Sequence, residues 1–282
     1  MTSTDIAVRA LALAEERSGA QIRTLTELAD LERARVVFDT TWPMVEGGSN
    51  LPSNLFRALV HAGAYACGAY IGGQVVGATV AFIAREPGAD GRPMVLLHSH
   101  MAAVLADYRN RSLGTAMKCH QRLWALQQGI EVISWTFDPL VRRNARLNML
   151  KLGAEVRGYE RDFYGRMDDD YDFTDESDRV FAWWVVGSDR ADAAALGRLR
   201  PLTDDEVAAR PEAVIVTIPE DIVALREADP DLGRAWRLRV REQMQAALAR
   251  GYVVTNLTAA GDYVLEPKDA PTAPPATERT PA

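Results

Sequence analysis

The sequence predicts an α+β fold built on a mixed sheet, and three observations carry that reading. β-rich runs alternate with segments of helical periodicity through most of the first 187 residues, so strands and helices are interleaved. Gly72-Gly73 separates two such runs, which is a two-residue hairpin signal. A strand-like run over residues 95–104 then passes through a short basic turn straight into a helical pattern over 112–128.

Taken in order, residues 1–20 read as an amphipathic helical extension, with Ile6, Val8, Leu11 and Leu13 among alanines. Residues 21–25 form the first strand candidate. Thr26 is the expected N-cap of a helix in which Leu28, Leu31, Ala34, Val37 and Phe38 recur at helical spacing, and Thr40-Thr41-Trp42-Pro43 ends it. A loop carrying Gly47-Gly48-Ser49-Asn50 and Pro52 precedes a helix over 54–62. The hairpin follows, with arms at 66–71 and 74–84, and 85–93 reads as a polar turn.

Past the basic turn and its helix, residues 131–137 are β-rich and are closed by Asp138-Pro139. A helix over 141–152 ends at Gly153 as its C′ residue. Residues 154–164 and 180–187 supply further strands. Beyond Ser188 lie an alanine-rich helix over 189–199, a short strand over 214–218, and helical segments over 222–249 interrupted near Pro230. The runs 250–254 and 263–265 resemble a closing hairpin. Residues 188–265 are therefore expected to form a small C-terminal α+β annex. Residues 266–282, with five prolines and no apolar periodicity, are expected to be disordered.

Composition bounds the function. A chain of 282 residues accommodates one large domain with a smaller addition. A net charge of -7 without a broad Lys/Arg stripe argues against nucleic acid as partner. No apolar run approaches the ~20 residues that cross a bilayer, so no membrane partner is expected. The charged N-terminus lacks the apolar core of a signal peptide, and two cysteines make no disulfide framework. A cytoplasmic location is the expectation.

The segment Arg109-Asn110-Arg111-Ser112-Leu113-Gly114-Thr115 carries the chemistry. First-turn N–H groups of a helix are unpaired, the macrodipole favours negative charge there, and small residues let a phosphate approach the backbone. The alternative is a solvated helix start, capped by Ser112, with both arginines facing water. The spacing Arg109-x-x-Ser112-x-Gly114 resembles the pyrophosphate loop of the GNAT (GCN5-related N-acetyltransferase) superfamily, with Ser112 where a glycine is usual. The order of elements over 21–187 is also the GNAT order. Leu97-His98-Ser99-His100-Met101, Trp135 through Leu140, Arg143 through Asn148 and Asp178-Arg179 look like a bacterial subgroup of predicted acetyltransferases, some of them associated with amino-acid N-succinylation.

That resemblance implies a GNAT domain over 21–187 and an acyl-CoA cosubstrate, acetyl-CoA or succinyl-CoA. The amine of a small molecule, an amino acid or derivative, would attack the thioester directly. Backbone N–H groups at Ala102, Ala103 and Val104 would receive the oxyanion and the pantetheine arm, and residues 109–115 the diphosphate. The tyrosine usual for protonating the thiolate is replaced by Met149, which leaves Asn144, Asn148, Tyr159 and Tyr164 as nearby polar groups. That departure keeps open a second reading, an acyl-CoA-binding sensor or scaffold without turnover.

His98 and His100 are the candidate bases, placed on one face by alternation unless a bulge intervenes. They read equally as hydrogen-bonded core histidines. With His61 and His120 assigned to helix surfaces, no third ligand accompanies them and no metal is expected. Asp138 is a candidate for the substrate ammonium or simply a turn residue. Arg143 and Arg179 are candidates for a substrate carboxylate or for solvent-facing ion pairs. Trp135, Trp183 and Trp184 read as core. A homodimer is a further expectation.

Overall fold

The computed structural model describes residues 1–44, 48–87, 92–165 and 176–268. Its centre is a ten-stranded mixed sheet in the order β1-β2-β3-β4-β5-β7-β6-β9-β10-β8. The strands are β1 (Gln21–Thr24), β2 (Tyr65–Ile71), β3 (Gln74–Pro87), β4 (Pro93–Val104), β5 (Val132–Phe137), β6 (Glu155–Glu160), β7 (Arg179–Val185), β8 (Val214–Val216), β9 (Tyr252–Leu257) and β10 (Tyr263–Pro267). Neighbours run antiparallel apart from β4 and β5, which are parallel. The helices are α1 (Ser3–Ser18), α2 (Leu28–Thr41), α3 (Ser53–His61), α4 (Leu113–Gln127), α5 (Arg142–Arg146), α6 (Asp189–Ala195), α7 (Asp204–Ala208), α8 (Ile222–Ala228) and α9 (Pro230–Ala249).

Strand alternation divides the core between the two faces of the sheet. In β2, Tyr65, Cys67 and Ala69 join α4 residues Ala116 and Met117 in the larger cluster. Ala66 and Tyr70 join Leu31, Val37 and Phe38 of α2 and Phe56 of α3 in the smaller one. The β2–β3 turn has φ of 57° at Gly72 and 81° at Gly73, the two positive values a tight primed hairpin needs. The N-terminal helix begins with a capping box between Thr2 and Asp5 and packs on α4 and α6.

Several boundaries differ from expectation. The N-cap of α2 is Glu27, not Thr26, and makes no side-chain cap bond. Residues 85–87 are not turn: β3 continues through them, with Arg85 opposite Val95 and Pro87 opposite Pro93. Residues 88–91 lie outside the described residues. The helix expected over 141–152 is one α-helical stretch followed by a π-helical turn, Leu147–Leu152. Gly153 then turns the chain at φ 74°, and an added Cβ there would stand 2.7 Å from the Arg190 carbonyl oxygen, so only glycine fits. The strand expected over 154–164 stops at Glu160.

The C-terminal region is joined to the same sheet. Val254 of β9 pairs with Val156 of β6, and β9, β10 and β8 follow in order. The expected tail begins later than Glu266, because Glu266 and Pro267 pair with Val253 and Tyr252 and the Lys268 N–H donates to the Gly251 carbonyl. Residues 269–282 lie outside the described residues. No helix of the described residues is long and apolar enough to cross a membrane.

Two features of β4 position the site. Its parallel pairing with β5 is confined to Leu97↔Ile133 and His98↔Ser134. Beyond that rung residues 99–104 pair only with β3, so the two strands form a fork whose β4 edge is open. The partner of β3 also jumps from Met101 opposite Val80 to Ser99 opposite Ala81. His100 is thus the extra residue of a β-bulge.

Candidate active site

At the end of β4 the chain makes a short 3-10 turn, Ala106–Tyr108, and enters α4 through two left-handed residues, Asn110 (φ 64°) and Ser112 (φ 61°). Ser112 occupies the N-cap position without a side-chain cap, contrary to the simple capping alternative. Among the described residues, no protein acceptor is found for the backbone N–H groups of residues 110–115. A run of unpaired donors at a helix start, alternating in handedness, forms a concavity suited to an anion. Gly114 adds room: a Cβ built on it would meet nothing within 4 Å.

This corner opens into a cleft of about 1390 Å³. Ala102, Ala103 and Val104 of β4 form one wall, with Arg109, Asn110, Ser112, Leu113, Gly114 and Thr115 at the loop. Arg111 points elsewhere and stacks on Tyr108, 5.3 Å from the ring centroid, while Tyr108 itself lines the cleft. The Arg109 Nε donates to the Val104 carbonyl oxygen at 3.4 Å. Asn144, Arg143 and Arg179 line the far side. The cleft therefore brings together most of the expected cofactor loop and both candidate carboxylate readers.

Other candidates fall outside it. Asn148 is buried, and its main-chain carbonyl oxygen accepts from the Ala154 N–H. Tyr159 is committed to Asp178. Tyr164 is exposed, 3.1 Å from the Thr136 hydroxyl, with Arg179 5.1 Å over its ring. His98 and His100 share one face with Phe82, their ring centroids 6.2 Å apart, and do not line the cleft. Burial, with the neighbouring His100 and Lys118, pushes His98 down to about 4, and burial also lowers His100. His120 is not a surface residue: its Nδ1 lies 2.8 Å from the Tyr65 hydroxyl, and burial pushes it down to about 4.

The histidine shifts fix a pH dependence of stability. An imidazole that resists protonation in the fold but accepts it near 6.5 when unfolded contributes stability above 6.5, lost as pH falls through about 4. The melting temperature is therefore expected to fall between pH 6.5 and 4. Substituting both His98 and His120 by Gln should flatten that slope, as measured by thermal melts across the interval. An unchanged slope would assign the acid sensitivity to carboxylates instead.

Asp138 lines the cleft, but its carboxylate is taken. One oxygen accepts from Leu140 N at 2.9 Å and from Arg237 at 3.1 Å; the other accepts from Arg226 at 3.0 Å and Arg237 at 3.1 Å. A carboxylate offers about four lone-pair positions, so none is left for a substrate ammonium. Arg226 and Arg237 belong to α8 and α9, and the N-terminal part of α8 lines the cleft with Asp221, Ile222 and Val223. Pairing between residues so distant in the chain leaves no local sequence signal. Among the described residues no cluster of three or more His, Cys, Asp or Glu could hold a metal ion.

No family model matches the sequence, and no curated protein matches it. Solved structures do. The chain is similar to the ribosomal-protein-S18-alanine N-acetyltransferase of Escherichia coli, with 15% identity over 60% of this chain and 95% of that one and a TM-score of 0.46. An N-acetyltransferase from Staphylococcus aureus Mu50 shares 14% identity over 59% of this chain and 97% of that one, with a TM-score of 0.43. FeeM, an N-acyl amino acid synthase from uncultured soil microbes, shares 14% identity over 59% and 91%, with a TM-score of 0.42.

Proposed function

We propose that this chain is a GNAT-type, acyl-CoA-dependent N-acyltransferase that moves an acetyl or succinyl group to the amine of a small molecule, an amino acid or derivative. The observation that carries the reading is the loop after β4. A left-handed entry, unpaired N–H groups at residues 110–115 and an unfilled space at Gly114 stand at the mouth of a cleft beside forked strands. Main-chain donors suit a diphosphate, and the open edge of β4 suits an extended arm that carries amide groups, as pantetheine does.

The reaction asks little of side chains. The neutral amine attacks the thioester carbon, the carbonyl oxygen gains charge, and main-chain N–H groups on the open edge of β4 at the fork are the candidate oxyanion donors, with Ala102 to Val104 alongside the arm. His98 and His100 stand near the fork as candidate proton acceptors, neutral at pH 7. Asn144 lines the cleft and is the candidate to orient the arm. Asp138 holds α8 and α9 instead of the acceptor.

Calorimetry with CoA tests the coenzyme, and thiol release over an amine panel with acetyl-CoA and succinyl-CoA tests the transfer. CoA binding with no turnover on any amine would favour the sensor. Arg143 is exposed in the cleft and makes no ion pair among the described residues, so it is available to a carboxylate. If Arg143 or Arg179 reads a succinyl carboxylate, replacement by Ala should lower succinyl-CoA turnover about tenfold or more and spare acetyl-CoA. An equal loss with both donors rejects that role.

A further inference from the structure

The fork between β4 and β5 holds a second group of polar side chains, on the α4 face of the sheet. Ser99 and Trp135 are the first residues beyond the last paired rung, His98↔Ser134, and both are buried. Lys118 lies one helical turn past Gly114 on α4. Its Nζ donates to Ser99 Oγ at 2.8 Å and to Gln121 Oε1 at 2.9 Å, and stands 4.0 Å from the Trp135 ring centroid. Lys118 is 7% exposed, and the buried Gln121 Nε2 has no partner among the described residues.

Among the described residues no carboxylate pairs with this ammonium. The titratable groups around it are Cys67 and Tyr65 on β2, His120 on α4 bonded to Tyr65, and His98 across the sheet. Burial pushes the Cys67 thiol up to about 11 and Tyr65 well above its ordinary value, so neither supplies a negative charge near neutrality. His98 and His120 are neutral there. Burial in turn lowers Lys118 to about 7. A desolvated cation held by two neutral acceptors and a ring is costly, and a negative charge formed beside it would be strongly stabilised.

This inference rests on the acyl-CoA reading. From Val104 back to Ser99 the opposite strand advances four residues, Gly77 to Ala81, because His100 is bulged, so the span is roughly 14 Å at ~3.4 Å per residue, the scale of an extended pantetheine arm. Ser99 and Lys118 stand behind the cleft wall, at the closed end of the fork next to the His98↔Ser134 rung, and with the diphosphate on residues 110–115 an arm of this length in the fork would bring the thioester sulfur to the level of Ser99. Met149, at the position where the resemblance implies a proton donor, is buried and has no proton to give.

We propose that Ser99 and Lys118 form a proton relay to the sulfur of CoA as it leaves. The amine nitrogen bonds to the carbonyl carbon, the C–S bond breaks, and its electron pair goes to sulfur. Ser99 Oγ–H protonates that sulfur, and Lys118 Nζ–H restores the Ser99 proton. The acylated nitrogen releases its proton, directly or through water, and Lys118 regains one. The products are the amide and CoA thiol. The N–H run that binds the diphosphate, the fork that admits the arm and the relay that ends it thus lie along one side of α4 and β4.

The test reads the thiol without requiring an acceptor. The ultraviolet thiolate band of bound CoA is followed against pH, with desulfo-CoA as the blank. In the native protein the band should appear at least about one pH unit, a tenfold change, below its position for free CoA. Lys118→Met should return it to the free position or above, with desulfo-CoA affinity unchanged. Lys118→Gln serves if Lys118→Met does not fold, and Ser99→Ala should give a smaller shift than the native protein. A native band at the free-CoA position, or the same band in the Lys118 variants, overturns the relay. If neither CoA nor desulfo-CoA binds the native protein, the loop reading itself fails, a result distinct from binding without a shifted thiol.

Discussion

Gly114→Glu is expected to abolish CoA binding while leaving the melting temperature unchanged or slightly raised. The space around this residue decides both halves. An added Cβ meets no atom of the described residues within 4 Å, and the backbone there is not left-handed, so nothing among the described residues requires glycine. A glycine inside a helix is less favourable than alanine by ~1 kcal/mol, and a carboxylate in the first turn interacts favourably with the helix dipole. The fold should therefore accept the longer side chain. A bound diphosphate should not, because the new carboxylate would occupy its place on the N–H groups and repel it. Calorimetry should show CoA affinity falling by about a hundredfold or more, with Gly114→Ala intermediate through its volume alone. Undiminished affinity in Gly114→Glu would take residues 110–115 out of the site.

Much of the scaffold was legible because local signals and global fold agree. The Gly72-Gly73 turn, the alternation of β2 and the helical spacing in α2 each point to one structure, and that structure formed. The loop at 109–115 was legible for the same reason, since a strand, small residues and a helix start are adjacent in the chain. What escaped was set by pairings distant in sequence. The bulge at His100, expected as an alternative to plain alternation, is located only relative to β3, and no pattern in β4 fixes its position. Residues 85–87 are polar, yet they are strand because β4 lies opposite.

The surface reading of His120 failed for a reason that it shares with Lys118 and Arg122. Lys118, His120 and Arg122 stand on α4 where polar residues normally face water, but α4 is covered by the sheet on one side and by α1 on the other. Lys118 consequently became a buried group and His120 a half-buried one, both with lowered pKa values. A helix wrapped on two sides offers little solvated face, so polarity alone could not separate a buried lysine from an exposed one. The π-helical turn at Leu147–Leu152 is likewise invisible to a periodicity of about 3.6, although it re-aims the residues between Asn144 and Gly153.

Asp138→Ala is expected to be among the most damaging single substitutions outside the sheet, and it separates two roles for this residue. The carboxylate ends β5 and receives Arg226 of α8 and Arg237 of α9, whose side chains are 8% and 3% exposed. Removing one member of a buried ion pair costs about 3–5 kcal/mol, because the arginines keep their desolvation and lose the carboxylate they share. For a chain of this size that corresponds to a melting temperature lower by roughly 10 °C. Arg237→Leu should cost a similar amount. The double variant should cost less than the sum of the two, since their shared interaction can be lost only once. The cleft responds as well: α8 contributes Asp221, Ile222 and Val223 to its wall, so loosening the clamp should raise the acceptor KM in the surviving folded fraction. Were Asp138 instead reserved for the ammonium of an acceptor, Asp138→Ala would raise that KM with no change in melting temperature and no coupling to Arg237. Thermal melts of the three variants distinguish a clamp between distant helices from a binding carboxylate.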